Sequence, residues 1–272
     1  MNGDVKKAKN IVGAFVEQKL NGEVTKLAEF DFCTLQNSAE FGCPDYRFDC
    51  DDTQIMRAVY VLLWGDIYPD LKLANIGTGK KYRGDTLNTF HTMFGRPIEG
   101  REGFFAGLEK YSPADELRQK VRDFSNILCR IGNFAVLPNC SCEGRTLNTH
   151  RGCNDWHDFF DRFLIGVYAS LCGKSSEDEL FDRLMQKNSF FFQQFSGEKG
   201  FYDFVHKNFL EDYLDNSEAP PHEIYPLNFH WFNVNDREKY YADAAEYVAR
   251  ASDLIRRRSF ILTLKISDAL AL

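Results

Sequence analysis

The segment from Ile131 to Arg162 holds the side chains with the clearest capacity for chemistry. Cys140, Cys142, His150 and Cys153 place three thiols and an imidazole within a short span, and thiolate and imidazole together suit tetrahedral zinc. The competing interpretation is a polar loop with reduced thiols, because only one residue separates Cys140 from Cys142. We therefore assign no metal ligand, and we expect no cofactor.

A basic stretch upstream offers a second candidate binding surface. It is interleaved with aromatic residues, a mixture that suits a nucleic-acid backbone or a nucleotide, although charge runs more often form a solvated face. Gly77 to Lys80 has the composition of a phosphate-binding loop, but Ala74 occupies the place of its first glycine and Lys81 that of its magnesium-binding hydroxyl. The stretch comprises Lys80, Lys81, Arg83, Arg96 and Arg101 with Tyr82, Phe90 and His91.

Helices must position most of these side chains, because apolar residues recur at helical spacing through most of the chain. We predict a mainly α fold of about eight helices with a few short strands, in a single globular domain over residues 1–272, within which an N-terminal portion (residues 1–100) packs on a helical portion (residues 101–272). Phe134 to Leu137 is the predicted buried strand, and Leu71 to Gly84 is predicted to be a loop. The predicted helices are Asp4 to Leu20, Thr53 to Trp64, Asp85 to Phe94, Ser112 to about Gly132, Asp155 to Gly173, Ser176 to Gln186, Gly200 to Leu214 and Asp236 to Arg257.

Composition limits the class of protein. The net charge of −7 argues against nonspecific coating of nucleic acid, although local basic sites remain open. The 25 Phe, 12 Tyr and 3 Trp residues predict a Phe-rich core. The longest apolar run, Ala58 to Trp64, is too short to span a membrane, and the N-terminus lacks the layout of a signal peptide. We therefore expect no membrane partner, reduced thiols and a cytoplasmic location; the sequence does not specify the oligomeric state.

The spacing of Arg151 and His157 resembles the Arg-to-His motif of helical ribonuclease toxins, in which the arginine holds the scissile phosphate and the histidine helps proton transfer. Gly152 stands where that family usually has a polar residue. The alternative is an arginine helix cap and a surface histidine. Ile131 to Phe134, Asn148 and Arg162 are also similar to the distal part of His-Asn-His restriction nucleases, but the upstream metal-binding histidine pair is missing.

A broader resemblance, from Tyr46 to Arg258, is to an uncharacterised family of bacterial and phage proteins. It implies no known activity. It places Asp85, Asn148, Arg151, Asp161 and Arg162 on recurring positions and leaves out His157 and the cysteines, which favours an anion-binding site of Arg and Asp residues or a buried ion-pair network that holds the fold. The segments that carry it are Tyr46 to Asp49, Leu63-Trp64, Gly84 to Phe90, Ile131-Gly132, Val136 to Pro138, Leu147-Asn148, Arg151-Gly152, Asp161 to Phe163, Gly200-Phe201, Asp203-Phe204 and Leu210 to Asp212.

Two hypotheses follow from these patterns. In the first, the protein binds or cleaves RNA or a nucleotide in a conflict between bacterium and phage. In the second, it is a noncatalytic interaction factor, such as an antitoxin, an inhibitor or an anti-defence protein, that binds a protein partner. The first assigns catalysis to Arg151, His157 and Asp161, and ligand binding to Arg83, Asp85, Asn88, Asn148 and Arg162.

Overall fold

The computed structural model describes residues 3–35, 41–42, 50, 53–88, 114–151, 160–214 and 237–271. Within these ranges the chain forms nine α-helices and one antiparallel pair of strands, which confirms the predicted mainly α fold. The helices are α1 (Gly3–Leu20), α2 (Gln54–Trp64), α3 (Ala114–Ser125), α4 (Leu147–Arg151), α5 (Phe160–Leu171), α6 (Glu179–Lys187), α7 (Ser189–Phe192), α8 (Gly197–Lys207) and α9 (Arg237–Ala271), and the strands are β1 (Tyr82–Thr86) and β2 (Phe134–Pro138).

Local capping explains several helix boundaries. Thr53 precedes α2 and its hydroxyl accepts a hydrogen bond from the backbone N–H of Met56 at 3.3 Å. Asn21 and Gly22 follow α1 in the left-handed region, with φ of 54° and 78°, a common way for a helix to end. These two helices and β2 therefore lie where the sequence predicted them.

Four sequence predictions need correction. Asp85 does not begin a helix, because it lies in β1, whose hydrogen bonds go to β2; residues 89–94 of that predicted helix lie outside the described ranges. The predicted loop before Gly84 contains the first residues of this strand. Helix α8 ends at Lys207, where Asn208 and Phe209 turn the chain, whereas α9 continues to Ala271.

The long helix α9 packs against α3 and against the short 3₁₀ helices Val24–Ala28 and Ile131–Asn133. Helices α1 and α2 pack on each other, and both also contact α9. Phenylalanine fills much of the space between these elements, which confirms the predicted Phe-rich core. One group of stacked and edge-on rings consists of Phe15, Phe30, Phe32, Phe41 and Phe134.

The expectation that every cysteine is reduced is wrong for two of them. Cys33 and Cys129 form a disulfide across 96 residues of sequence. The segments that carry Cys33 and Cys129 meet only in the folded chain, so no local cysteine spacing indicates that they pair.

The strand pair positions the candidate site. Arg83 lies opposite Leu137 and Asp85 opposite Ala135 in the antiparallel register. Residues two apart on a strand share a face, so Arg83 and Asp85 point to the same side of the pair. Tyr82, on the other face, packs against the rings of Phe190 and Phe191.

None of the helices within the described ranges combines the length and apolar character that crossing a bilayer requires.

Candidate functional site

The structure brings two of the predicted ligand-binding residues into direct contact. The side-chain amide of Asn148 on α4 donates a hydrogen bond to Asp85 Oδ1 on β1 at 2.5 Å. Asp85 is only 4% exposed, and a short bond to a carboxylate is among the stronger polar contacts in proteins. Because Nδ2 of Asn148 donates to Asp85, the amide is held in one orientation.

A tight hairpin and a helix cap place Asn148 at this position. Glu143 and Gly144 both have positive φ, 52° and 76°, and Cys142 and Arg145 exchange backbone hydrogen bonds across them, as in a type I′ turn. Thr146 and Thr149 then cap the first turn of α4, since each backbone N–H donates to the hydroxyl of the other. The segment before Asn148 is therefore conformationally fixed.

Two arginines of the predicted site lie on elements that are connected to this pair directly or through other residues. Arg83 is half-buried and shares a strand face with Asp85. Arg162 is half-buried on α5, the helix that begins at Phe160. Phe160 packs edge-on against Tyr213, with 5.4 Å between ring centroids. Arg83 therefore lies on the strand that carries Asp85, whereas Arg162 lies on the helix whose first residue contacts Tyr213.

Asn88 supports the site from the interior. It is fully buried, and its side-chain amide donates to the Tyr213 hydroxyl at 2.6 Å and to Asn133 Oδ1 at 3.1 Å. Asn133 returns a hydrogen bond to the Asn88 carbonyl at 2.9 Å. This network ties the end of β1 to the start of β2, and through Tyr213 to the start of α5.

The three predicted catalytic residues remain predictions. Arg151 is the last residue of α4 and Asp161 the second residue of α5. His157 lies outside the described residues, as do Arg96, Arg101, Phe90 and His91 of the basic stretch.

At the other end of the basic stretch, Lys81 forms an ion pair with Asp70 at 2.7 Å. The hydrogen bond from Lys81 and its positive charge lower the pKa of the Asp70 carboxyl.

A buried histidine on α4 makes a polar contact that the sequence did not reveal. His150 is 1% exposed, and its Nε2 lies 2.8 Å from Asp178 Oδ2. Its Nδ1 lies 3.5 Å from Arg145 Nη1. Because a guanidinium only donates, this geometry suits the tautomer in which Nδ1 accepts from Arg145 and the Nε2 proton faces the carboxylate. Burial opposes ionisation of Asp178, but hydrogen bonds from the Phe181 N–H and from His150 outweigh it, and the pKa of Asp178 is lowered.

The contacts of His150 and Cys140 concern the hypothesis that Cys140, Cys142, His150 and Cys153 bind zinc. Both ring nitrogens of His150 face protein groups. Asn188 holds the Cys140 backbone, accepting from its N–H and donating to its carbonyl, each at 3.0 Å. Cys140, Cys142 and His150 do not form a metal-sized cluster among the described residues, and Cys153 lies outside them. The sequence places Asp178 only in the first turn of a predicted helix, which does not reveal its partner.

Replacing Asp178 with asparagine tests whether the charge of Asp178 stabilises its contact with His150. Asparagine is an equally good N-cap, so the change removes the charge while keeping the cap that Asp178 forms with Phe181. We expect the free energy of unfolding at pH 7 to fall by about 1–3 kcal/mol, because an amide nitrogen replaces Oδ2 opposite His150 Nε2 and leaves the Nε2 proton without an acceptor. Urea denaturation of the two proteins measures this difference.

The pH dependence of that difference has a defined sign. The folded pKa of Asp178 lies below the unfolded value of about 3.9, so its stabilisation is complete above that pH and is lost as pH falls through the folded pKa. The gap between wild type and Asp178→Asn should therefore close below about pH 4. Asp203→Asn on the exposed side of α8 is the control, with little expected effect. A gap that persists in acid would contradict the charge-based account.

Comparison with known proteins adds a family but no activity. No curated protein and no solved structure matches the chain. A model of a family of unknown function matches residues 108–260, which is more than half of the chain. The match includes Asn148, Asp178 and Arg258 and begins after β1. It confirms the expected uncharacterised family, whereas an origin in bacteria or phages stays a prediction. The chain belongs to DUF6994, a family of unknown function.

Proposed function

We propose that the protein binds the phosphate and sugar of a nucleotide or of RNA through residues of β1, α4 and α5. The observation that carries the proposal is the Asn148–Asp85 hydrogen bond, because it fixes a polar side chain next to the strand that bears Arg83. The setting we propose, a conflict between bacterium and phage in the cytoplasm, is supported by the resemblance of the Arg151 and His157 spacing to helical ribonuclease toxins.

The exposure of each residue separates those that support the site from those that could contact a ligand. Asp85 and Asn88 are buried and position their neighbours. Asn148, Arg83 and Arg162 are half-buried and have surface from which to contact a ligand. Guanidinium groups match the geometry of phosphate oxygens. The Asn148 carbonyl oxygen, directed away from Asp85 by the fixed amide, is suited to accept from a ribose hydroxyl or a base N–H.

This division favours a nucleotide over inorganic phosphate. Phosphate oxygens at neutral pH accept hydrogen bonds, and the Asn148 oxygen is also an acceptor. A ligand that satisfies both Asn148 and the arginines must carry hydroxyl or amine donors beside its phosphate. If RNA is cleaved, Arg151 would hold the phosphate, and His157 would transfer a proton with Asp161 nearby in sequence.

The second candidate, a noncatalytic interaction factor, rests on a different observation. Phe260 and Leu264 lie four residues apart on α9 and are 60% and 46% exposed, and residues at this spacing share a helix face. Ile261 beside them is 37% exposed. Apolar side chains of this size on a surface are common at protein interfaces.

Native mass spectrometry of the purified full chain distinguishes the two functions, since it reports bound nucleotide and self-association together. Titration with ATP, with GMP and with a short single-stranded RNA then measures affinity. We expect Arg83→Ala to weaken binding by about tenfold or more, the value of one hydrogen bond to a charged group, and Asn148→Ala to weaken it by about fivefold, the value of one neutral hydrogen bond. Inorganic phosphate should bind more weakly than either nucleotide.

Arg250→Ala provides the matched control, because Arg250 is an exposed arginine of α9 paired with Glu246. Its affinity should equal that of the wild type. Absence of binding to all three ligands would refute the proposed function, as would equal binding by wild type, Asn148→Ala and Arg83→Ala. For the cleavage hypothesis, Arg151→Ala and His157→Ala are compared with wild type for RNA cleavage; unchanged cleavage would exclude their assigned roles.

A further inference from the structure

Three cysteines that are far apart in sequence converge at one point. Cys33 lies in the 3₁₀ helix Phe32–Leu35, Cys50 just before α2, and Cys129 in the turn after α3. Their sulfur atoms all lie within 4.8 Å of one another. Cys33 and Cys129 are joined, and Cys50 Sγ is 3.3 Å from Cys129 Sγ. A disulfide uses only two sulfurs, so the closeness of the Cys50 sulfur requires a separate explanation.

Backbone contacts hold each of the three segments independently of the sulfur atoms. The N–H of Phe32 donates to the Cys129 carbonyl at 3.1 Å, which joins two of the segments directly. Asp31 Oδ1 accepts from the N–H of Cys33 at 2.9 Å. The Thr53 hydroxyl, which caps α2, donates to the Cys50 carbonyl at 3.1 Å. The three sulfurs should therefore stay close after the disulfide is reduced.

From this geometry we infer that the reduced protein binds one thiolate-preferring divalent cation of the zinc class through Cys33, Cys50 and Cys129. With metal–sulfur bonds of about 2.3 Å, tetrahedral ligands lie about 3.8 Å apart, which small shifts of three sulfurs within 4.8 Å can provide. Thiolates select soft or borderline ions over Mg²⁺ and Ca²⁺. Among the described residues no fourth ligand accompanies the three sulfurs, and water or an external ligand can complete the tetrahedron.

Metal binding at this cluster depends on its redox state. An external dithiol transfers two electrons and two protons to the Cys33–Cys129 disulfide. Cys33 and Cys129 become thiols, and the dithiol is oxidised to a disulfide. The cation then displaces the protons of three thiols to solvent. In the oxidised form only the Cys50 sulfur keeps a thiol among the three, and one thiol does not make a stable site. The site is independent of the Asn148 surface and of the Cys140 segment.

Cobalt(II) provides a direct probe, because its thiolate complexes absorb strongly in the near ultraviolet. The full chain is reduced with excess dithiothreitol, desalted without oxygen and titrated with Co²⁺ alone. We expect one ion per chain by native mass spectrometry and a thiolate-to-cobalt band that Zn²⁺ displaces. The oxidised protein should give neither signal.

Serine variants assign the ligands. Cys33→Ser, Cys50→Ser and Cys129→Ser should each weaken Co²⁺ binding by at least about tenfold, as expected when a site loses one of three ligands. Cys172→Ser is the control, because this half-buried cysteine lies just after α5, outside the cluster. Wild-type affinity in Cys50→Ser would overturn the three-sulfur site, as would the absence of a bound ion in the reduced wild type.

A second measurement uses only the wild-type protein and so does not depend on whether the variants fold. The reduced chain is alkylated with iodoacetamide with and without Zn²⁺, and modified peptides are identified by mass. Zn²⁺ should slow modification of Cys33, Cys50 and Cys129 together, while Cys172 reacts at an unchanged rate. Protection confined to Cys140 and Cys142, or protection of none, would refute the site.

Discussion

Replacing Arg258 with methionine should lower the free energy of unfolding by about 3–5 kcal/mol, because several buried carbonyls lose their donor at about 1–3 kcal/mol each. Arg258 is 2% exposed. Its guanidinium donates to the backbone carbonyls of Phe209 at 3.0 Å, Gly132 at 2.8 Å, Phe134 at 2.6 Å and Asn208 at 3.1 Å. One side chain of α9 therefore joins the start of β2 to the turn after α8.

The size of the effect follows from what methionine leaves behind. Methionine fills much of the arginine volume but cannot donate, so four buried carbonyls lose a donor, at a cost of about 1–3 kcal/mol for each one left unsatisfied. Relaxation of the chain recovers some of this. Desolvation lowers the pKa of Arg258 to about 10, so the side chain is charged at neutral pH. Carbonyl dipoles offset the cost of burying that charge, together with the Trp64 ring 6.0 Å away.

Urea denaturation at pH 7 measures the change, and Arg256→Met on the same helix is the matched control. Arg256 is 49% exposed and forms an i,i+3 pair with Asp253, so its loss should cost less than about 0.5 kcal/mol. Arg258→Lys should be intermediate, because an ammonium cannot reach all four carbonyls at once. Equal midpoints for Arg258→Met and wild type would show that the buried arginine contributes nothing to stability.

Elements with local signals were predictable from the sequence. Helices α1 and α2 carry their stop and cap signals within a few residues of their ends, and strand β2 is a short apolar run before Pro138. Strand β1 carries no such signal, because Tyr82–Thr86 has mixed polarity. It becomes a strand only by pairing with β2, about 50 residues later in sequence. That contact belongs to the tertiary fold and overrides the local preference.

The candidate site was only partly predictable, for a related reason. The family resemblance singled out Asp85 and Asn148 but not their hydrogen bond across 63 residues. The His150–Asp178 contact depends on the capped turn of α4 meeting the start of α6. The cluster of Cys33, Cys50 and Cys129 has no close sequence spacing, whereas the short Cys140 and Cys142 motif suggests zinc as one of two interpretations although no metal ligand is assigned there. A site whose residues come from distant segments of the chain has no local sequence pattern that could reveal it.

Replacing Gly132 with alanine should destabilise the protein by at least about 3 kcal/mol, at the upper end of the usual range for overpacking. Gly132 lies in the 3₁₀ helix Ile131–Asn133, which packs on α9. A Cβ there would overlap the Ile255 carbonyl oxygen and the backbone nitrogen of Ser259. The obstacle is helix backbone rather than a flexible side chain, so α9 itself would have to move. Such a shift would also disturb the bond from Arg258 to the Gly132 carbonyl.

Gly13→Ala supplies a control of opposite sign. Gly13 lies inside α1, and among the described residues nothing comes within 4 Å of the Cβ that alanine would add. Alanine favours a helix interior by up to about 1 kcal/mol over glycine, so this variant should unfold at higher urea than wild type while Gly132→Ala unfolds at much lower urea. If Gly132→Ala keeps the wild-type midpoint, the close approach of α9 to residues 131–133 is wrong. The same result would remove the geometric basis for the contacts of Arg258 with Gly132 and Phe134.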